Sequence, residues 1–525
     1  MQPFFSAPRP IRRRRVAAKL NRVTMGQKLI ETPDILPGIE QDAVTSELLS
    51  LLSSGGDGRI VLDGETGLNR YYSAPYPRRT MAYASSTAND LSADAFAHLR
   101  DVYSAGLPSY SDHLDQLRGR IRDTYQIGED VEIVFAPSGT DLEYVALAAM
   151  LGRAKGGIHN ILLGADEVGS GCIHSADGKF FAEETALGLP TVKGTSVEGF
   201  GDVSMADVPV RCTEGRARCS ETMTHSIAQE IILAQAADKH ALVHIVHGSK
   251  TGLILPELAE IDALNATFGG DVDFVVDACQ ARITIPALHN YLERGAMVFL
   301  TGSKFMGGAP FNGWALVPKD MVARAAKLPT GLSKVFRRAE FPRSWLGQDE
   351  LPAGENPGLA LRYEASIFEL ERFQGLPMDQ VADLLDVFEA AVIGELVQPL
   401  GISLVRPFTP GQEGEPDEHP IEMRTLETLD VSSLGITPTF DAAQSVHKHL
   451  ALNGIRLGQP VKCVRRNNTW GGTLRIGLSM PQVVRFSSMP IGEAEALIRS
   501  DMRKIADALI SLSETNRTPT QYSAC

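Results

Sequence analysis

Between about residues 90 and 320 the chain alternates short apolar runs with longer amphipathic stretches. The runs at 131–136 (VEIVFA), 160–163 (NILL), 242–246 (LVHIV), 272–276 (VDFVV), 297–300 (MVFL) and 314–317 (WALV) have the length and apolar content of buried strands. Between them, 141–153 and 227–239 repeat apolar residues at helical spacing. Strands alternating with helices predict an α/β domain built on a mostly parallel sheet. Residues 319–357 are rich in Pro, Gly and charge and read as a long connection holding one short helix. Helical patterns then run from Leu359 (LALRYEASIFELERF) and over 378–397, followed by a loop at 407–420. The remainder alternates a helix at 442–452, a strand at 473–478 and a helix at 491–512.

At 525 residues the chain suits a large domain plus a smaller one. The pattern divides it into a basic tail (1–24), an N-terminal arm (25–90), a large domain (91–357) and a small α+β C-terminal domain (358–525). A net charge of -14 argues against general binding to nucleic acid or anionic membranes, which needs clustered Lys and Arg. It leaves room for a small anionic substrate in a locally basic pocket. No apolar run approaches the ~18 residues of a membrane helix. Neither a nucleic-acid nor a membrane partner is therefore expected.

Residues 1–24 carry Arg9, Arg12, Arg13, Arg14, Arg15, Lys19 and Arg22, and no acid. A disordered tail ahead of a start at Met25, an organelle transit peptide and a basic interaction arm all fit; the first is the simplest. The cysteines, Cys172, Cys212, Cys219, Cys279, Cys463 and Cys525, are too scattered for a disulfide framework. A reducing, cytoplasmic compartment fits them. His240, His244 and His247 cluster, but residues three apart on a strand face opposite sides, so no metal site is expected.

Three segments sit where an open α/β sheet places its ligand crevice, beyond the carboxyl ends of strands. The first, Ser138-Gly139-Thr140, joins a strand to a helix and offers small, hydroxylated residues and a helix N-terminus to a phosphate. The second contains Asp277, at a strand end, and Gln280. A buried carboxylate there needs a partner, which a protonated pyridine nitrogen would supply, while Gln280 would reach the ring's phenolic oxygen. An exposed turn residue is the plainer alternative for Asp277. The third is Thr301-Gly302-Ser303-Lys304, followed by Gly307-Gly308. Lys304 at this place suits a Schiff base with an aldehyde and a proton shuttle, with Thr301 and Ser303 donating to a phosphate.

Taken together the segments resemble the class V aminotransferase and cysteine desulfurase group of pyridoxal 5'-phosphate (PLP) enzymes of fold type I. Asp277-Ala278-Cys279-Gln280 is similar to the group's DxxQ motif and Thr301–Lys304 to its lysine motif, with Ser303 where many members have His. Gly248-Ser249-Lys250-Thr251-Gly252 resembles a stretch near the ring, which implies Ser249 beside the cofactor. The resemblance implies an aspartate-aminotransferase-like fold, PLP as cofactor, a small amino acid as substrate and a homodimer. It also implies that Arg475, in Leu474-Arg475-Ile476-Gly477, binds the substrate carboxylate. Two positions depart from the group. Glu355 stands where relatives have a phosphate-binding Thr, and Val168 where a ring-stacking His or aromatic is usual.

An aminotransferase-type reaction on the α-amino group is the first expectation. Cysteine desulfuration or β-elimination through Cys463 is the second, with Lys462, Arg465 and Arg466 lowering the thiol's pKa. A binding protein retaining the fold without turnover is the third; the presence of Asp277, Gln280 and Lys304 argues against it.

Overall fold

The computed structural model describes residues 35–515 except Asp166, Gly169, Ser170 and Pro410. The basic tail, the start of the arm and Cys525 lie outside the described residues. At the centre is an eight-stranded sheet made of β1 (Val131–Ala136), β2 (Ile158–Leu163), β3 (Val203–Val208), β4 (His240–His247), β5 (Ile254–Leu255), β6 (Val272–Asp277), β7 (Met297–Thr301) and β8 (Gly313–Pro318). The order is β1-β8-β7-β6-β4-β2-β3, with β5 on the end of β4. Pairings among β2, β3, β4, β6 and β7 are parallel. β8 runs antiparallel to both neighbours.

Every strand expected from the apolar runs forms. All of β4 is buried, as a parallel strand covered on both faces must be. β3 was not expected, because it lies at the sheet edge, half-exposed, and its sequence VSMADV carries no continuous apolar run. Helix Leu142–Met150, which follows β1, is wholly buried, and apart from Glu143 and Tyr144 all its residues are apolar.

The C-terminal part forms a three-stranded antiparallel sheet of Ser403–Val405, Leu426–Asp430 and Thr473–Gly477, flanked by helices. The connection after β8 holds the expected short helix, Lys319–Ala323, and several 3-10 turns. The arm is more than a tether. Its helix Ala43–Leu52 joins an apolar cluster with Leu361 and Ala365, and its strand Met81–Tyr83 pairs in parallel with Ile455–Leu457. Among the described residues no helix is long and apolar enough to cross a membrane.

Helix Pro357–Gln374 links these parts. Asn356 caps it by accepting the Leu359 amide, with Pro357 at the first helical position. Arg362 is fully buried and donates to the carbonyls of Phe311 (2.9 Å), Ser54 (2.6 Å) and Gly55 (2.9 Å). Tyr363 donates to the Ala136 carbonyl at 2.6 Å. Replacing Arg362 with methionine keeps bulk but strips those carbonyls of their donor. We expect Arg362→Met to lower stability by roughly 3 kcal/mol, read as a fall in the denaturation midpoint.

Candidate active site

A cavity of about 410 Å³ opens beyond the carboxyl ends of β1, β4, β6 and β7. Every residue expected to hold the cofactor or the substrate carboxylate lines it: Ser138, Gly139 and Thr140; Ser249; Asp277 and Gln280; Thr301, Ser303 and Lys304; and Arg475. Val168 lines it as well.

Strand geometry explains the convergence. β6 lies between β4 and β7, so Asp277, its last residue, pairs with Val246 on one side and Phe299 on the other. Its Oδ1 accepts the Cys279 amide at 2.9 Å, which turns the chain away from the sheet. Lys304 lies just past the end of β7, in a turn braced from below. The Gly302 amide donates to Asn312 Oδ1 at 3.0 Å, and Asn89 Nδ2 donates to the Lys304 carbonyl. A Cβ on Gly302 would sit 2.1 Å from Ser366 Oγ, so only glycine fits against helix Pro357–Gln374.

Two of the expected cofactor contacts, Thr301 and Gln280, have bonds of their own within the protein. The Thr301 hydroxyl donates to the Cys279 carbonyl at 2.5 Å, so its proton serves the backbone rather than a phosphate. The Gln280 amide is anchored at both ends, with Nε2 donating to the Ser86 carbonyl (3.3 Å) and Oε1 accepting from Arg282 Nη1 (2.8 Å), while the second Nε2–H remains in the cavity lining. Ser249 does line the cavity, where its hydroxyl donates to Glu167 Oε2 at 2.8 Å. That carboxylate is buried with Arg211 Nε at 2.6 Å and is held below the usual range by Arg211 against the opposing effect of burial.

Cys463 departs from its expected role. It is buried and absent from the cavity lining, and burial pushes its thiol up to about 12. Nearby Arg211 and Arg475 offset this only in part. Cys172 and Cys279 do line the cavity, and burial raises both thiols. The histidines of β4 serve three separate contacts. His240 meets Asp273 at 2.8 Å, His247 meets Tyr291 at 3.0 Å and Glu422 at 3.2 Å, and His244 faces Glu143 at 3.3 Å.

Arg475 is buried and has no carboxylate partner among the described residues. It donates to the carbonyls of Gln459 (2.7 Å) and Lys250 (3.0 Å) and to the Thr87 hydroxyl (3.3 Å). Arg282, fully buried, likewise lacks an acid among the described residues; burial and Arg475 push it down to about 9. Burial itself pushes Arg475 down to about 10. With no acid hydrogen-bonded to it among the described residues, the Arg475 guanidinium makes this end of the cavity receptive to an anion.

Sequence reasoning missed the contribution of the arm. Arg59, Tyr71, Ser86, Thr87 and Ala88 all line the cavity. No motif marks them. The only sequence signal is the hydroxyl-rich Ser85-Ser86-Thr87, whose Ser86 Oγ is buried without a hydrogen-bond partner.

No sequence-family profile and no curated protein matches the chain. Solved structures do. A NifS-like protein is 13% identical with a TM-score of 0.52, covering 82% of this chain and 99% of its own. Pyridoxamine-pyruvate aminotransferase from Mesorhizobium loti is 14% identical (TM-score 0.49; 83% and 99% covered). A cysteine desulfurase from Thermococcus onnurineus is 14% identical (TM-score 0.48; 82% and 95% covered). The chain has the aspartate-aminotransferase-like PLP fold, the fold expected from its motifs.

Asp141 follows the hydroxylated turn and is fully buried, accepting from Ser138 Oγ at 2.6 Å. Burial, with Asp57 nearby, pushes its carboxyl up to about 7 from 3.8. A carboxyl raised on folding contributes stability at low pH and loses it as pH rises through the folded value. Between about pH 4 and 7 the wild type should therefore lose up to a few kcal/mol relative to Asp141→Asn. Paired denaturation curves across that window would read the difference; parallel pH profiles would refute it.

Proposed function

We propose that the chain is a PLP-dependent enzyme acting on the α-amino group of a small amino acid, most simply by an aminotransferase-type reaction. The observation that carries this is the convergence of Lys304, Asp277, Arg475 and the Ser138–Thr140 turn on one cavity. The donor set fits PLP. An amine and a carboxylate line the same wall, and hydroxyls with a helix N-terminus stand beside them.

When bound, PLP supplies an electron sink for the carbon bearing the amino group. Lys304 Nζ would hold its aldehyde carbon covalently, with release of water. Asp277 would keep the ring nitrogen protonated, since a carboxylate favours the cation beside it. The Ser138–Thr140 turn and Ser303 would hold the phosphate. Val168 would cover one ring face with an aliphatic surface rather than a stacked aromatic. Arg475 would fix the substrate carboxylate and so orient the bond to be broken. Lys304, once exchanged for the substrate amine, would take and return the proton at that carbon. The same reading carries a homodimer.

Desulfuration through Cys463 is less well supported, because a thiol pushed up to about 12 is protonated and lies outside the cavity lining.

Adding PLP to purified protein should give an absorbance band near ~420 nm that Lys304→Ala lacks. A colourless wild type would end the proposal. Arg475→Gln should keep that band and raise the amino-acid concentration needed to bleach it by roughly 10–100-fold. Unchanged bleaching would remove Arg475 from carboxylate binding.

A further inference from the structure

Arg59 belongs to no motif, yet its guanidinium is held on several sides. Nε and Nη2 grip the Asp57 carboxylate at 2.8 and 2.6 Å. Nη2 also donates to Ser138 Oγ at 3.0 Å, and Nη1 to Thr140 Oγ1 at 3.2 Å. The rings of Phe181 and Phe311 both lie with centroids 5.0 Å from its Cζ, a distance at which aromatic faces attract a cation. A guanidinium has five N–H donors. Among the described residues these bonds use four, leaving one on Nη1, the nitrogen that reaches Thr140.

The turn it meets is otherwise neutral, and its hydroxyls are partly committed. Ser138 gives its proton to Asp141, and Thr301 gives its proton to the Cys279 carbonyl. A phosphate monoester bound there carries nearly two negative charges, and hydroxyls and amides alone compensate them poorly. Arg475 also lines the cavity, but its bonds run to the carbonyls of Gln459 and Lys250 rather than to the turn. Among the described residues Arg59 is the cation that bonds the turn.

We infer that Arg59 is the charged member of the phosphate cradle, contributed by the N-terminal arm and aimed by Asp57. It offers the phosphate monoester of the cofactor its remaining Nη1–H and a guanidinium charge. The arm then becomes part of cofactor recognition and compensates for the absence of a threonine at position 355. This inference rests on reading Lys304 as the cofactor lysine.

A latch that merely pins the arm to the turn would make the same contacts in the free protein, so the test must separate charge from scaffolding. Dissociation constants for PLP and for pyridoxal, which lacks the phosphate, are measured by absorbance on wild type, Arg59→Gln and Arg59→Lys. Arg59→Gln should weaken PLP binding at least about tenfold and leave pyridoxal within about twofold of wild type. Arg59→Lys, which keeps the charge but loses the fork, should fall between. Excess inorganic phosphate should weaken PLP binding to wild type more than to Arg59→Gln. Equal losses for PLP and pyridoxal, in either variant, would reduce Arg59 to a latch and overturn the inference. So would unchanged PLP binding in Arg59→Gln. Should that variant fold poorly, the PLP-to-pyridoxal ratio of Arg59→Lys decides alone. A wild type that binds no PLP would instead sink the Lys304 reading, and this inference with it.

Discussion

Helix Pro357–Gln374 presses so closely on the loop carrying Lys304 that two positions of that loop admit no side chain. A Cβ on Gly302 would stand 2.1 Å from Ser366 Oγ, and one on Gly308 1.9 Å from the same atom. Close-packed interiors resist such intrusion, so the loop has one course to follow. The same helix uses Arg362 to hold the arm at Ser54 and Gly55 and the chain at Phe311. One rigid element thus fixes the amine, the arm that carries Arg59, and the residue whose ring packs on that arginine. Phe311 adopts a left-handed backbone (φ 67°), as does Ala281 (φ 57°) just after Gln280. Such conformations cost of order 1 kcal/mol each and persist where packing overrules local preference.

Charge is arranged against the chain's overall sign. The sequence carries a net charge of -14, yet Arg282 and Arg475 are buried with no acid hydrogen-bonded to either among the described residues. Neutral oxygens carry most of the compensation: the carbonyls of Gln459 and Lys250 for Arg475, and Ser85 Oγ, Gln280 Oε1 and Thr425 Oγ1 for Arg282. Carbonyl dipoles hold a guanidinium in place without cancelling its charge, which leaves the field available to a bound anion. At the other end, Asp57 and Arg59 form a neutral pair whose free donor still points chemistry at the turn.

Much of this was legible in the chain. The strands that carry Asp277 and Lys304 are buried on both faces, and burial on both faces leaves an apolar run that can be read directly. The turn at 138–140 was marked by small hydroxylated residues at a strand-to-helix switch. What escaped had a physical reason. β3 lies at an edge and needs no apolar face on its outer side. Thr301 and Gln280 stood at the right positions, but which partner takes a hydroxyl or an amide depends on atoms brought close only in three dimensions. Cys463 was flanked by cations in sequence, and burial outweighs them. Arg59 was invisible because its partners lie about eighty positions away, with no periodicity to connect them.

The parallel pairing of Met81–Tyr83 with Ile455–Leu457 joins segments 374 positions apart along the chain. Arg59 and Ser86 come from the arm and Arg475 from the C-terminal sheet; all three line the cavity, and Arg475 Nη1 reaches the Ser86 carbonyl at 3.4 Å. During synthesis the lysine loop therefore emerges after the arm but well before the strand that carries Arg475. Long-range closures of this kind come late in folding. The ribosome must deliver residue 475 before a ligand can be fully enclosed, which ties ligand capture to completion of the nascent polypeptide.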